Sequence, residues 1–286
     1  MITWRVLFAE TIERLGGPPA ARDARWICEA ASGRDRTEWT LGLDDAATER
    51  AVARLDAMVT RRLTGEPLQY VIGSWPFRRV EVMVDRRVLI PRPETEEVAG
   101  VAIELARDRP APRTVVDLGT GSGAIALSLA AELPLGSTTV WATDVSSDAL
   151  DVARANVAGL GRPGAYVRVA EGPWWDALPG ELRGAVDLAV ANPPYVAESD
   201  EIEPAVTDWE PAIALWSGAD GLDAVRAIAD GARSWLRPGG WLVLEIGATQ
   251  GPATAAVLAS AQLVDVSLRS DAAGRVRVAA ARRAGA

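Results

Sequence analysis

Beyond Arg113 the chain alternates short apolar runs with stretches at helical spacing, and no other feature restricts its fold as strongly. The runs are Thr114 to Leu118, Thr139 to Thr143, Tyr166 to Val169, Val186 to Ala191 and Trp241 to Ile246. Strands separated by helical crossovers line up in parallel, so this rhythm predicts an α/β fold with a parallel sheet covered by helices. The ending departs from it. Leu263 to Leu268, a turn over Asp271 to Gly274 and Val276 to Ala281 read as an antiparallel hairpin added at the sheet edge. No internal repeat or low-complexity linker interrupts the pattern.

The amino-terminal part follows a different period. Trp4, Leu7, Phe8, Ile12 and Leu15, then Trp26 and Ile27, then Val52, Leu55 and Val59 recur at helical spacing, which predicts a small helical bundle. Gly16-Gly17-Pro18-Pro19 and Ser32-Gly33 punctuate it, and Thr64-Gly65-Glu66-Pro67 closes the last long helix. Between Tyr70 and Ile90 the pattern turns to alternation, with Val80, Val82 and Val84 on one face, as a hairpin requires. Its arginines, Arg78, Arg79, Arg86 and Arg87, read as solvated edge charges. The expected organisation is a helical domain over 1–72, a β-hairpin linker over 73–93 and a sheet domain over 94–286.

Composition removes whole classes of chemistry. The chain has no histidine, and all 30 basic residues are arginine. Ser-His-Asp triads, histidine metal sites, Schiff-base lysines and Walker-type phosphate loops are therefore excluded, and no metal is expected. The single cysteine, Cys28, falls in a helical core pattern and fits a reducing compartment. Charges at Arg5, Glu10, Glu13 and Arg14 break the run a signal peptide needs, and no apolar stretch approaches a membrane span. The reading is a cytoplasmic monomer with no membrane partner. A net charge of -9 repels nucleic acid at long range.

Val115-Val116-Asp117-Leu118 runs into Gly119-Thr120-Gly121-Ser122-Gly123, and a helix opens near Ala124. Three glycines let backbone approach a ligand closely, and the helix start offers unpaired amides. Asp117 is placed to order the loop. Asp144 ends the next strand, 25 residues beyond Gly119, where a carboxylate can accept both hydroxyls of a ribose. Loop and acid together indicate a nucleoside cofactor.

Asn192-Pro193-Pro194-Tyr195 follows the strand Val186 to Ala191, hence lies at the same carboxyl edge as the glycine loop. Two prolines restrict the backbone and donate nothing, so the Asn192 carboxamide and the Pro193 carbonyl become rigid acceptors. A planar nitrogen is a poor nucleophile and has to be gripped through its N–H groups. Two such acceptors can grip a side-chain amide or the amine of a base, and Tyr195 adds a surface for stacking. No general base is needed, because an N-methylated cation is far more acidic than the amide it came from.

The glycine loop, Asp144 and Asn192 to Tyr195 in this order resemble class I S-adenosylmethionine-dependent methyltransferases. Gly65 to Tyr70, Val88 to Glu96, Glu210-Pro211, Gly218 to Asp223, Leu236 to Gly240 and Glu245-Ile246-Gly247 extend the likeness, over nearly the whole chain, to the release factor glutamine methyltransferases. That resemblance implies a seven-stranded sheet and methyl transfer from S-adenosylmethionine to the glutamine of a Gly-Gly-Gln motif in peptide chain release factors. It implies that Gly119, Thr120, Gly121, Ser122, Gly123, Asp144, Trp174 and Asn192 contact the cofactor. It further implies that Asn192, Pro193, Pro194 and Tyr195 receive the glutamine, that Ile90 to Glu96 covers the cofactor, and that residues 1–72 dock the substrate. Trp175 competes with Trp174 for the place over the adenine. The family's frequent acidic residue near the carboxyl-terminal Gly-Arg is absent from Gly274-Arg275-Val276.

Alternatives are a ribosomal protein as substrate and, through the same Asn-Pro-Pro-aromatic logic, an adenine base. From Gly184 to Val225 there is no basic residue, whereas Asp187, Glu198, Asp200, Glu201, Glu203, Asp208, Glu210, Asp220 and Asp223 are acidic. Phosphate contacts there are disfavoured, and an acidic rim suits a basic protein.

Overall fold

The computed structural model describes residues 2–285. The outermost residues of the two expected domains, Met1 and Ala286, lie outside the described residues. The chain forms two compact units, 1–74 with 203–209 and 75–202 with 210–286.

Over 1–74 the first unit holds five helices, α1 (Trp4–Leu15), α2 (Ala20–Ser32), α3 (Arg36–Leu41), α4 (Glu49–Leu63) and α5 (Leu68–Ile72). Asp35 and Glu38 close α3 with reciprocal backbone bonds, and the Thr48 hydroxyl caps α4. The helices bury Trp4, Leu7, Ile27, Cys28, Leu55 and Val59, while Phe8, Ile12, Leu15, Trp26 and Val52 are half-buried. Trp4 packs edge-on against Trp39 at 5.6 Å between ring centres. Burial next to Thr11 pushes the Cys28 thiol up to about 12, so it behaves as a core hydrophobe. Arg61 bonds Glu66 at 2.9 Å and the Tyr70 carbonyl at 2.8 Å, which fixes the turn after α4. Tyr70 to Ile72 is accordingly helical rather than the extended start of a hairpin.

The hairpin strands are β1 (Ser74–Phe77), which falls in the second unit from Trp75 on, and β2 (Val80–Met83), with Val82 and Val84 fully buried and Glu81 exposed. Arg78 is not a solvated edge charge. Its guanidinium bonds Glu132 at 2.7 and 2.9 Å and the Glu96 carbonyl at 2.9 Å.

The main sheet comprises β3 (Arg113–Leu118), β4 (Thr138–Asp144), β5 (Val167–Glu171), β6 (Val186–Ala191), β7 (Leu236–Glu245), β8 (Leu263–Ser270) and β9 (Val276–Arg283). Their order is β5-β4-β3-β6-β7-β9-β8, with β9 antiparallel to β7 and β8 antiparallel to β9. The four pairings among β5, β4, β3, β6 and β7 are parallel, as the strand and helix alternation predicts, and the terminal hairpin lies at the edge. Helices α6 (Pro93–Arg107), α7 (Ala124–Glu132), α8 (Ser147–Gly159), α10 (Asp223–Trp235) and α11 (Gly251–Ser260) accompany the sheet, whereas α9, one turn over Pro204–Thr207, belongs to the first unit. Every residue of β6 is buried, as a central parallel strand demands. Asp187 on β6 is not part of an acidic rim. It is 1% exposed and held by Arg237 at 2.9 Å, Arg109 at 3.7 Å and the Thr114 amide at 2.8 Å. β7 starts five residues earlier than the apolar run suggests, because its register with β6 shifts between Val186 and Leu188 around Pro238 to Gly240.

Candidate functional site at the switch point

Strand order runs outward from β3 to β5 on one side and from β6 to β7 on the other, so the crossovers diverge between β3 and β6. Helices cover opposite faces on either side of such a point, and a crevice opens beyond the carboxyl ends there. Register brings the motifs together at that crevice. Asp117 pairs with Val190 and with Ala142, so two residues on, Gly119 stands between Asn192 and Asp144.

A cavity of about 530 Å³ occupies this place, within the usual range for a cofactor-sized ligand. Gly119, Thr120, Gly121, Ser122, Asp144, Trp174, Asn192 and Pro194 line it. Gly123, Pro193 and Tyr195 are not among its lining residues. Gly123 caps the start of α7 with φ +86°, and a Cβ there would lie 2.6 Å from Leu127, so the position favours glycine on conformation and packing alone.

The loop is held from beneath. Gly119 and Thr120 each donate an amide to the Thr143 carbonyl at 2.8 Å, while Asp117 accepts the Thr120 hydroxyl at 2.6 Å and the Ala126 amide at 3.1 Å. Gly119 and Gly121 have φ of +74° and +53°, and a Cβ on Gly119 would sit 3.3 Å from the Trp174 ring. Around Gly121 nothing comes within 4 Å of that position, which leaves room for a ligand. Burial raises the Asp117 carboxyl to about 7 against the pull of its hydrogen bonds, and its Oδ1 has no partner among the described residues. Asp144 accepts from the Gly121 amide and the Ser146 amide, both at 2.9 Å. Each of its oxygens keeps a second lone pair.

Trp174 and Trp175 separate cleanly. Trp174 lines the cavity from a left-handed backbone, φ +46°, a strained conformation for a bulky residue. Trp175 is 4% exposed, stacks on Trp235 and donates its indole N–H to the Ile228 carbonyl.

Several contributors escaped sequence reasoning. Asn156 bonds Met83 and the Ser122 carbonyl, tying the hairpin to the glycine loop. Gln250 donates to the Tyr195 carbonyl at 2.9 Å, and a Cβ on Gly221 would lie 2.3 Å from that same oxygen. Glu210, buried, accepts from the Ile90 amide at 3.0 Å and pairs with Arg92, which anchors the segment leading into α6. Thr95 and Glu245 lie behind Asn192. All but Asn156 and Gln250 fall inside runs that carried the family resemblance, where nothing but the likeness marked them.

A sheet of this order, with a glycine loop and an Asn-Pro-Pro-Tyr edge facing each other at its switch point, is that of a Rossmann-like methyltransferase. A methyltransferase from Pyrococcus furiosus, 15% identical with a TM-score of 0.54, shares the fold over 84% of this chain and 100% of its own. Residues 4–73 match the PrmC N-terminal domain model and residues 102–208 the Methyltransferase small domain model. The chain belongs to the release factor glutamine methyltransferase family. A relative of that name from Cereibacter sphaeroides is 43% identical over 92% of this chain and 91% of its own, and one from Xylella fastidiosa is 44% identical over 86% of each.

Proposed function

We propose that the enzyme methylates the side-chain amide nitrogen of the glutamine in the Gly-Gly-Gln motif of peptide chain release factors, with S-adenosylmethionine as donor. The observation that carries this reading is the shared cavity. Its walls bring a ribose-type acid, Asp144, and open glycine backbone within one crevice with the carboxamide of Asn192.

When bound, the cofactor supplies an electrophilic methyl group on a positively charged sulfur. Gly119 to Ser122 would let its chain lie against backbone, Asp144 would accept from the ribose and Trp174 would flank the adenine. Asn192 Oδ1 would accept one N–H of the substrate amide and the Pro193 carbonyl the other. Pro193 and Tyr195 lie outside the cavity wall; they are assigned, with Pro194, to the incoming glutamine. The cofactor would supply the methyl group to the gripped nitrogen and would keep the electron pair of its own S–C bond, so no residue has to assist a leaving group. The nitrogen then gives its proton to water, so the chain's lack of histidine and lysine costs nothing.

Residues 1–72 are assigned to substrate docking, with 73–93 as linker and 94–286 as the transferase. Exposed Glu198, Asp200, Glu201, Glu203 and Asp208 support a basic protein as partner and disfavour direct nucleic-acid contact. A substrate that works in translation implies a cytoplasmic enzyme. The test is mass spectrometry of release factors incubated with enzyme and S-adenosylmethionine. A methyl group on the Gly-Gly-Gln glutamine is the expected result. Label on a ribosomal protein would move the substrate, and no transfer to any protein would refute the reading.

A further inference from the structure

An asparagine amide can face its target with either end, since a half-turn about its last torsion exchanges oxygen and NH2. One end accepts and the other donates, and a substrate amide gripped through N–H needs the acceptor. What selects the end is therefore part of the chemistry.

Behind Asn192 stands a short chain of hydrogen bonds. Asn192 Nδ2 donates to Thr95 Oγ1 at 3.1 Å, and the Thr95 hydroxyl donates to Glu245 Oε2 at 2.6 Å. No described residue donates to Asn192 Oδ1. The placement follows from register: Ala191 pairs with Leu244, so the next residues out, Asn192 and Glu245, are neighbours across β6 and β7. Thr95 enters from the first turn of α6, is 4% exposed, and also lines the cavity. Glu245 is 1% exposed and closes the chain where no solvent reaches.

We infer that Thr95 and Glu245 are positioning residues that set the polarity of Asn192, directing its carbonyl oxygen and not its NH2 at the substrate nitrogen. A carboxylate can only accept, so the single hydroxyl proton of Thr95 points at Glu245. Towards Asn192 the Thr95 oxygen then offers lone pairs alone, and the amide must turn its NH2 inward. This rests on the acceptor role proposed for Asn192 above. The arrangement explains a buried acid that pairs with no arginine among the described residues. Burial brings its carboxyl to about 7 against the Thr95 hydrogen bond; Arg277 on β9 and Arg92 before α6 also favour its charge, and Glu94 on α6 opposes it. Above that pH it is a carboxylate and the chain has one direction.

The experiment measures methyl transfer to a release factor at pH 8 for Thr95→Val, Thr95→Ser, Glu245→Gln and Asn192→Ala, with melting curves and calorimetric titration of S-adenosylmethionine. Thr95→Val is expected to lower kcat by about tenfold to a hundredfold, the scale of a misplaced reacting group. Because Thr95 also lines the cavity, cofactor affinity is measured alongside, and kcat should fall by more than the affinity for S-adenosylmethionine or the KM for the release factor changes. Thr95→Ser should recover kcat, since it restores the hydroxyl. Should Thr95→Val fail to fold, Glu245→Gln reads the same chain, because a carboxamide can present NH2 to Thr95 and reverse it. A wild-type kcat in Thr95→Val, or a loss that Thr95→Ser leaves unrecovered, overturns the inference. If Asn192→Ala is inactive while Thr95→Val is normal, the relay alone fails; if Asn192→Ala is itself normal, the acceptor role and the relay fall together.

Discussion

Single atoms decide the chemistry at the crevice. Asn192→Ala removes the acceptor while sparing strand β6, and a fall in kcat of roughly a hundredfold or more is expected, as for loss of a fixed polar group at a reacting centre. Steady-state assays with a release factor check it. Two buried acids carry a separate signature in stability. Asp117 and Glu245 both titrate near 7 in the fold, above their ordinary values of 3.8 and 4.5. Between those ordinary values and 7 the folded chain binds more protons than the unfolded one, so their contribution is full below about pH 4 and is lost as pH rises through 7. Urea unfolding of wild type and Glu245→Gln at pH 5.5 and pH 8 tests this. The wild type should lose more stability on going to pH 8, by up to a few kcal/mol. At this scale the sequence was partly legible: Asp144 and Asn192 stand out because strand ends and prolines mark them, whereas Thr95 gains its meaning only from two partners 97 and 150 residues away.

At the scale of elements, β6 and its neighbours act as a ruler that sets which loop faces which. The Asn-Pro-Pro-Tyr turn is also braced from outside the sheet. Gly221, at φ +72°, lets its backbone approach the Tyr195 carbonyl, and Gln250 from the start of α11 donates to that oxygen. Gly221→Ala would force a Cβ into this contact and into an unfavourable backbone region, at a cost of about 1–2 kcal/mol from the backbone alone. Its expected effect is a kcat lowered with cofactor affinity kept, measured by assay and calorimetry. The hairpin and the helices were readable from period, because 2 and 3.6 are properties of local backbone. The start of β7 was not, since a glycine-proline stretch enters a strand only where a partner supplies the register shift.

For the whole molecule, charge and ligand linkage give the measurable consequences. A net charge of -9, with Glu201 and Glu203 exposed, should steer a basic substrate. Glu201→Gln with Glu203→Gln is expected to raise KM for the release factor several-fold at low salt and little at high salt; an unchanged KM at low salt would remove these residues from docking. S-adenosylmethionine at a hundred times its Kd should stabilise residues 75–286 by about 2.7 kcal/mol, seen as a rise of several degrees in their melting temperature. Asp144→Ala should abolish that rise. By itself the sequence determined the fold class, the placing of the glycine loop and of Asn192 to Tyr195 at one carboxyl edge, and the exclusion of histidine and lysine mechanisms, because apolar period, glycine, proline and composition act locally. Tertiary structure alone decided that Asp187 and Glu210 are buried anchors, that Trp174 and not Trp175 meets the cavity, and that Thr95 and Glu245 stand behind Asn192. Those outcomes depend on which distant groups share a low-dielectric interior, and no local pattern records a neighbour brought there by folding.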